Sequence, residues 1–542
     1  MCVQPESSDR LALGLDFGTE SVRALLVDLK GTERSSSAVK YEHGSITETL
    51  PTTGEMLPPD FALQHPGDWV EASCQAVRDA LEQAGLTTGD PTAAVVSIGV
   101  DFTSCTMLPA RADGTPLCLC DEYIGEKYAW PKLWKHHGAK TQTDRINQLA
   151  RERNEPWLKH YGGVIGLEWF FPKVLETLEK APRIYDETDV WLEGGDWYVW
   201  QLIGADQPVP RSTCIAGYKA MWSAEDSYPS PGFFKALHPK MANVVKDKMP
   251  GTLIAPGRPA GTLCATMAKQ MNLCAGIPVS AAIIDAHAGV PGVGVGEPNT
   301  LVMVMGTSSC HMLMHNEAVE VPGVAGIVKD GILPGYIGYE TGQAAVGDAF
   351  DWLRRMLNHD SFDTLTKQAM TVPPGCQGVT CVDWFNGCRT PLMDGTLTGA
   401  FTGLTLNHHA GHMFRSLLEA SAYGVRWIVE VLEAGGVPVD RFVATGGLPH
   451  QSPLLMQVYA DVLAKPVMVP GTRQGPALGS AILGVLAAGE AVSGFASTSD
   501  AVKAMAGNLA QKTYVPKAVD KSAYDQAYAR YRSHADRIAA TL

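Results

Sequence analysis

The chain has 542 residues, which at about 150 residues per domain points to three or four domains or two large ones. With 45% hydrophobic and 18% charged side chains, 55 glycines and 35 prolines, it reads as a folded, turn-rich globular protein, excluding disorder and collagen. The 43 basic and 57 acidic side chains leave a formal charge of −14, so no broad basic surface serves a nucleic-acid backbone or an anionic membrane, and any phosphate must be held by local geometry.

The leading residues, Met1 to Arg10, carry Glu6, Asp9 and Arg10 and do not resemble a secretory signal. Nowhere do about 18 consecutive apolar residues occur, so the expected location is the cytoplasm. Leu11, Leu13 and Leu15 alternate with smaller or polar residues, Gly18-Thr19-Glu20-Ser21 turns the chain, and Val22 to Asp28 returns. This predicts a β-hairpin with a glycine-hydroxyl tip. Val70, Cys74, Val77, Leu81 and Ala84 share one helical face, with Asp68 and Glu71 spaced like a capping box and Gly85 as the stop. Val95 to Val100 then reads as a buried strand ending at Asp101. Strands alternating with helices indicate an α/β layered fold.

Thr300 to Met305, the turn Gly306-Thr307-Ser308-Ser309 and the return Cys310 to Met314 repeat the hairpin. Two structurally duplicated domains are expected, 1–296 and 297–542, with the boundary near Gly296 to Asn299. Met413, Leu417, Ala420, Gly424, Trp427 and Val431 mark a long helix ended by Gly435-Gly436. Arg441 to Thr445 is a strand, Gly446-Gly447 a turn, Pro453 to Ala464 a helix, Val467 to Val469 a short strand, and Pro476 to Ala488 the last helix of the core. The twelve cysteines are scattered, with Cys118 and Cys120 the one close pair and no C-x-x-C; they read as small buried hydrophobes in a reducing compartment.

No G-x-x-x-x-G-K-[ST] occurs, and Gly292-Val293-Gly294-Val295-Gly296 lacks the G-x-G-x-x-G spacing, so neither common nucleotide loop is supported. By contrast, Asp16 ends a strand just before Gly18 and Thr19, which puts a carboxylate beside backbone N–H groups and a hydroxyl and suits a metal-bound phosphate. An ordinary hairpin turn is the other reading, and the second copy at Gly306-Thr307 weighs against it. Asp285 ends an apolar stretch and is followed by small residues; it suits a general base, with helix N-capping as the alternative. Glu340-Thr341-Gly342-Gln343 is a further polar segment at a strand end, where open α/β sheets place ligands.

These residues carry a resemblance along nearly the whole chain. Gly14-Leu15-Asp16-Phe17-Gly18-Thr19, Gly99-Val100-Asp101-Phe102-Thr103-Ser104, Leu167-Glu168-Trp169-Phe170, Gly217-Tyr218-Lys219, Asp285 to Gly289, Gly306-Thr307-Ser308, Asp383 to Gly387 and Thr445-Gly446-Gly447 resemble the FGGY family of carbohydrate kinases, in its ribulokinase branch. The resemblance implies two actin-like, ribonuclease-H-type domains, a sugar-binding one (1–296) and a nucleotide-binding one (297–542), with ATP in the cleft between them. It implies that Asp16 faces Mg²⁺ and, with Gly18 and Thr19, the transferring phosphate, and that Gly306 and Thr307 form the second phosphate turn. Adenosine contacts fall on Gly347, Gly447 and Gln451, and Asp351 stands where glycerol kinases carry a glutamine. Asp285 matches the catalytic base, and sugar contacts fall on Ser104, Lys219, Asp285 and Glu340. The implied reaction is ATP-dependent phosphorylation of L-ribulose at its C5 hydroxyl, in L-arabinose catabolism, by a homodimer. An unperturbed aspartate, with a pKa of about 3.9, makes Asp285 a weak base at rest.

Lys219 and Glu340 suit ketose oxygens as donor and acceptor, although a surface lysine is the plainer reading of Lys219. His408, His409 and His412 have helical spacing, but no acid completes a metal triad. Trp130, Trp134, Trp157 and Trp169 are candidate walls of a sugar pocket. Two rivals stand beside this reading: a kinase of the same family for D-ribulose, ribitol or D-xylulose, and a non-catalytic actin-like sensor, filament or chaperone. A chaperone is disfavoured because little chain follows Gly489, and a DNA-linked sensor because no basic helix-turn-helix segment is visible.

Overall fold

The computed structural model describes residues 10–86, 94–509 and 511–541; the leading stretch 1–9 lies outside them. The first predicted hairpin forms as β1 (Leu11–Phe17) and β2 (Ser21–Asp28), extended by β3 (Glu33–Lys40). Helix α1 (Pro66–Gln83) follows, then β4 (Val95–Phe102), which lies parallel to β1. Helices α2 (Phe170–Lys180) and α3 (Thr213–Lys219) follow. Short strands β5 (Pro259–Thr262), β6 (Pro278–Ser280) and β7 (Ile283–Ile284) complete the sheet, in the order β3-β2-β1-β4-β6-β5 with β7 also on β4.

Helix α4 (Asp285–Gly292) leads to the second sheet: β8 (Thr300–Met305), β9 (Ser309–His315), β10 (Gly326–Lys329) and β11 (Ile337–Gln343). After α5 (Gly347–Met356) and α6 (Ala410–Ala434) come β12 (Arg441–Thr445), parallel to β8, and β13 (Val467–Pro470). The order is β10-β11-β9-β8-β12-β13-β14, where β14 is Gln511–Tyr514. Each half thus has an antiparallel hairpin, a third strand on its outer edge and a parallel strand on its inner one. This repeat is the duplicated, actin-like α/β architecture expected from the two hairpins.

Both faces of the first sheet are covered, so β1 is buried throughout rather than alternating, apart from the half-buried Asp16. One cover is α1; the other is α7 (Gly475–Ala488), which comes from the far end of the chain. Its residues Ala477, Leu478, Ala481 and Ile482, with Val502 and Met505 of α8 (Thr498–Ala506), share one buried core with β1, β2 and β4. A Cβ at Gly99 of β4 would lie 1.7 Å from the Ser480 carbonyl oxygen, and one at Gly479 would lie 1.7 Å from that of Ala288. Helix α7 therefore meets β4 and α4 backbone to backbone.

Two local expectations are corrected. Helix α1 begins at Pro66, because proline needs no N–H donor at the first helical position and presets φ. Asp68 therefore lies inside the first turn, and the expected Asp68–Glu71 capping box does not form. Beyond α7 the structure adds α8, β14 and α9 (Lys521–Thr541), which the sequence reading left out. Helix α9 docks through Tyr524, Tyr528 and Tyr531 rather than aliphatic residues; Tyr531 donates to Asp383 Oδ1 at 3.0 Å, and Arg415 donates to the Tyr524 hydroxyl at 2.6 Å. Among the described residues no single helix is long and apolar enough to cross a membrane.

Candidate active site

Three carboxylates meet where the first sheet ends. Asp16 and Asp101 are register partners on β1 and β4, and Ile284 pairs with Phe102, so Asp285 opens α4 one residue beyond. Asp101 is wholly buried; its Oδ2 accepts from Ser480 of α7 at 2.7 Å, whereas its Oδ1 has no hydrogen-bond partner. Burial and then the neighbouring Asp16 charge push its pKa well above the carboxylate range. Burial also raises Asp16, against the opposing effect of Asp101 and of Arg23 at 3.0 Å. Asp285 Oδ1 accepts from its neighbour Ala286 N at 2.7 Å, and burial pushes its carboxyl up to about 7. The expectation of a weak base is corrected: desolvation has poised this aspartate near neutrality. A converging carboxylate set with one partnerless oxygen fits a hard, oxygen-seeking cation such as Mg²⁺.

The first Gly-Thr turn is held from outside. Gly18 N donates to Ser21 O at 3.0 Å, Gln64 Nε2 to Thr19 O at 2.7 Å, and Trp134 Nε1 to Thr19 Oγ1 at 3.0 Å. The second turn mates with the start of α5: Gly347 N donates to Gly306 O at 3.0 Å, while Val346 N and Asp348 N donate to Thr307 O at 2.8 and 3.1 Å. Gly446, at φ +94°, crosses so close to Met305 that a Cβ would lie 2.5 Å from its carbonyl oxygen. That crossing brings Gly447 to the end of β8, with the Gln451 amide beside it. Gly306, Thr307, Gly347, Gly447 and Gln451 thus gather at the carboxyl ends of β8 and β12. Asp351 is instead half-exposed on α5, paired with Arg354 at 2.8 Å and Arg355 at 3.0 Å.

Facing Asp285 is a buried charge cluster spanning both halves. Lys219, at the end of α3, donates to Glu340 Oε1 and Oε2 at 2.9 and 3.1 Å, and Arg389 donates to the same carboxylate. His287 Nε2 stands 3.3 Å from Glu340 Oε2. Burial opposes ionisation of Glu340, yet Lys219 and Arg389 outweigh it and hold the carboxyl well below its usual range. Burial likewise opposes the Lys219 charge, but Glu340 prevails and the ammonium is strengthened. The surface-lysine reading fails: the Lys219 side chain is 7% exposed, with its ammonium 5.7 Å over the Trp169 ring. Sequence reasoning missed Arg389 and His287. His287 lay within a quoted stretch, but Arg389 follows the Asp383 to Gly387 stretch in a loop, and only the fold aims it at Glu340.

The remaining expectations divide. Ser104 follows β4 and is half-buried, and the thiol of its neighbour Cys105 feels the Lys219 charge. Trp134 bonds to the Thr19 hydroxyl and Trp169 lies under the Lys219 ammonium, with Trp157 in the same buried cluster as Trp169, whereas Trp130 belongs to a separate one. His409 and His412 cap α6: Gly411 N donates to His409 Nδ1 at 3.1 Å and His409 N to His412 Nδ1 at 3.3 Å. Among the described residues ten cysteines are free thiols, most of them buried.

The C-terminal domain of the FGGY family of carbohydrate kinases matches residues 301–488. A ribulokinase of Bacillus licheniformis is 44% identical over 525 residues, covering 94% of either chain. The chain belongs to the FGGY family of carbohydrate kinases. A ribulokinase of Geobacillus thermodenitrificans is 42% identical over 96% of this chain and 93% of its own. A solved xylulose kinase from Rhodospirillum rubrum, 22% identical, superposes with a TM-score of 0.79 over 98% of this chain and 99% of that one. A glycerol kinase from Plasmodium falciparum with ADP, 17% identical, gives 0.77 over 98% of each. At these identities the solved structures show the shared fold. As an FGGY kinase the chain is an enzyme that uses ATP as phosphoryl donor and a small sugar as acceptor.

Proposed function

We propose that this FGGY kinase transfers the γ-phosphoryl group of ATP to the C5 hydroxyl of L-ribulose, giving L-ribulose 5-phosphate in L-arabinose catabolism. The observation that carries the reading is the buried Lys219–Glu340 pair beside Asp285, a donor and an acceptor set next to a base raised to about 7. The two ribulokinases, 44% and 42% identical along nearly the whole chain, favour ribulose over other polyols.

Lys219 and Glu340, with Ser104, orient the ketose hydroxyls, and a site built on hydroxyl partners rejects analogues that lack them. Asp285 orients the C5 hydroxyl and accepts its proton as the bond to phosphorus forms. Backbone N–H groups at Gly18-Thr19 and Gly306-Thr307 meet the phosphate oxygens, and Gly347, Gly447 and Gln451 bound the adenosine side. Asp16 is the proposed ligand of Mg²⁺, with the free Asp101 oxygen beside it; bound there, the ion neutralises phosphate charge. The chain passes from the sugar-binding to the nucleotide-binding domain near residue 296, and the 475–506 segment returns to the first core. A homodimer in the cytoplasm completes the proposal, and sedimentation at several concentrations tests the dimer.

The deciding experiment measures ADP release with Mg·ATP and L-ribulose, D-ribulose, ribitol, D-xylulose or glycerol. The expected outcome is the highest kcat/KM with L-ribulose. A higher value for another sugar overturns the substrate while leaving Asp285 in its role.

A further inference from the structure

Outside the reaction centre, the segment that braces the first phosphate turn contains a second cluster of metal-binding side chains. Tyr41 N donates to Glu20 O at 3.0 Å, Ser45 N to Glu20 Oε2 at 3.2 Å and Gln64 Nε2 to Thr19 O at 2.7 Å. Beside these supports His43 and His65 stack, ring centroids 4.6 Å apart and planes inclined by 23°. Both turn Nδ1 toward one oxygen of the buried Asp68, in the first turn of α1: His43 Nδ1 lies 2.8 Å from Oδ1 and His65 Nδ1 3.4 Å from it. The other oxygen, Oδ2, accepts from His43 N at 2.9 Å.

A histidine–aspartate hydrogen bond explains His43 alone. It leaves His65 poorly satisfied, because His65 Nδ1 is buried and its one acceptor within reach, 3.4 Å away, already bonds His43; a buried polar atom without a well-formed hydrogen bond costs about 1–3 kcal/mol. A cation bound by all three atoms removes that cost. Bonds of about 2.0–2.2 Å at tetrahedral angles set ligand atoms roughly 3.4 Å apart; the His65 separation of 3.4 Å matches that spacing, while the 2.8 Å of His43 is a hydrogen-bond distance that metal binding would lengthen. Two imidazole nitrogens with one carboxylate select a zinc-class ion over Mg²⁺, which distinguishes this cluster from the all-carboxylate cleft. An open pocket lined by Glu42, Asp68, Glu71 and Cys74 borders the cluster on its Asp68 side.

We propose that His43, His65 and Asp68 form a binding site for a divalent transition-metal ion of the zinc class, which ties the 43–65 segment to α1 behind the first phosphate turn. Binding requires the tautomer of His43 that carries its ring proton on Nε2, which leaves Nδ1 free to coordinate.

The test titrates the full-length, chelator-stripped chain with Zn²⁺ against a chromophoric chelator, with millimolar Mg²⁺ present to saturate hard oxygen sites. One equivalent is expected to bind, and Zn²⁺ is expected to raise the thermal midpoint. His43→Gln and His65→Gln, made separately, should each weaken binding by more than the roughly tenfold that loss of an outer-shell partner costs. Both variants should also lose the Zn²⁺-dependent rise while keeping the metal-free midpoint and kcat. His43 is exposed, so its variant is expected to fold even if that of His65 does not. Absence of Zn²⁺ binding overturns the proposal, as does binding of undiminished affinity in the His43 variant, which would place the ion on thiols or elsewhere.

Discussion

Asp285 takes its chemistry from position more than from residue type. It opens α4 at the end of β7, beside the Lys219–Glu340 cluster, where burial first and then the Asp16 charge lift its carboxyl to about 7. Asp285→Asn keeps the size and the bond from Ala286 N but cannot take a proton, so it should fold and bind ATP while kcat falls by about 10²–10⁴. Steady-state ADP release together with nucleotide binding checks this, and near-normal turnover would remove Asp285 from the base role. Asp16, Asp285, Gly306 and Thr307 were legible in the sequence because each ends a strand or turns a hairpin, features written in a few consecutive residues. Arg389 was not, because its partner Glu340 is 49 residues away and only the folded loop joins them.

Helix α7 shows how one element supports the centre without touching substrate. Its Gly479 lets it lie against α4, the helix that Asp285 opens, and its Ser480 bonds to Asp101. Gly479→Ala would drive a methyl group into the Ala288 carbonyl; neither side is a flexible side chain, so the helices must part. The expected loss is about 3 kcal/mol or more in denaturant unfolding, with a fall in kcat as α4 shifts. Helix α2 carries a different device. Glu176, on α2, accepts from Lys132 at 2.8 Å and pairs with the wholly buried His136 at 2.9 Å.

Burial holds His136 down to about 4, so between its usual 6.5 and 4 the unfolded chain takes up the proton that the folded one refuses. Its contribution to stability is therefore present above 6.5 and lost as pH falls through that window. Burial opposes the Glu176 charge, but Lys132 and His136 bring its pKa to about 2, so its stabilisation is lost later, as pH falls from about 4.5 toward 2. Raised carboxyls such as Asp196 act with the opposite sign, so the difference between wild type and His136→Gln is the measurement. The thermal midpoint of His136→Gln should fall less than that of wild type on acidification from 6.5 to 4.

At the scale of the molecule, the Lys219–Glu340–Arg389 cluster is also the tie between halves. Lys219 belongs to α3 beside the first sheet, and Glu340 belongs to β11 of the second. Thr213 of α3 adds a bond to Asp330 O at 2.9 Å across the same boundary. Glu340→Gln would leave Lys219 and Arg389 facing each other without a counter-charge, which should cost about 3–5 kcal/mol in denaturant unfolding and raise the sugar KM. An unchanged unfolding midpoint would mean that solvent, rather than Glu340, neutralises the pair.

Hydrophobic periodicity, two hairpins with glycine-hydroxyl tips and strand-end acids determined the fold class, the duplication and the Gly-Thr turns and acids that line the candidate site, because these patterns are local and repeat at the period of their element. Only the tertiary structure decided that 475–506 returns to the first core, that tyrosines dock α9 and that Asp285 sits near pH 7. Only there do Lys219, Arg389 and His287 meet one carboxylate. Each of these depends on burial and on partners far apart in the chain, and desolvation, backbone approach and charge pairing arise only once the halves have met.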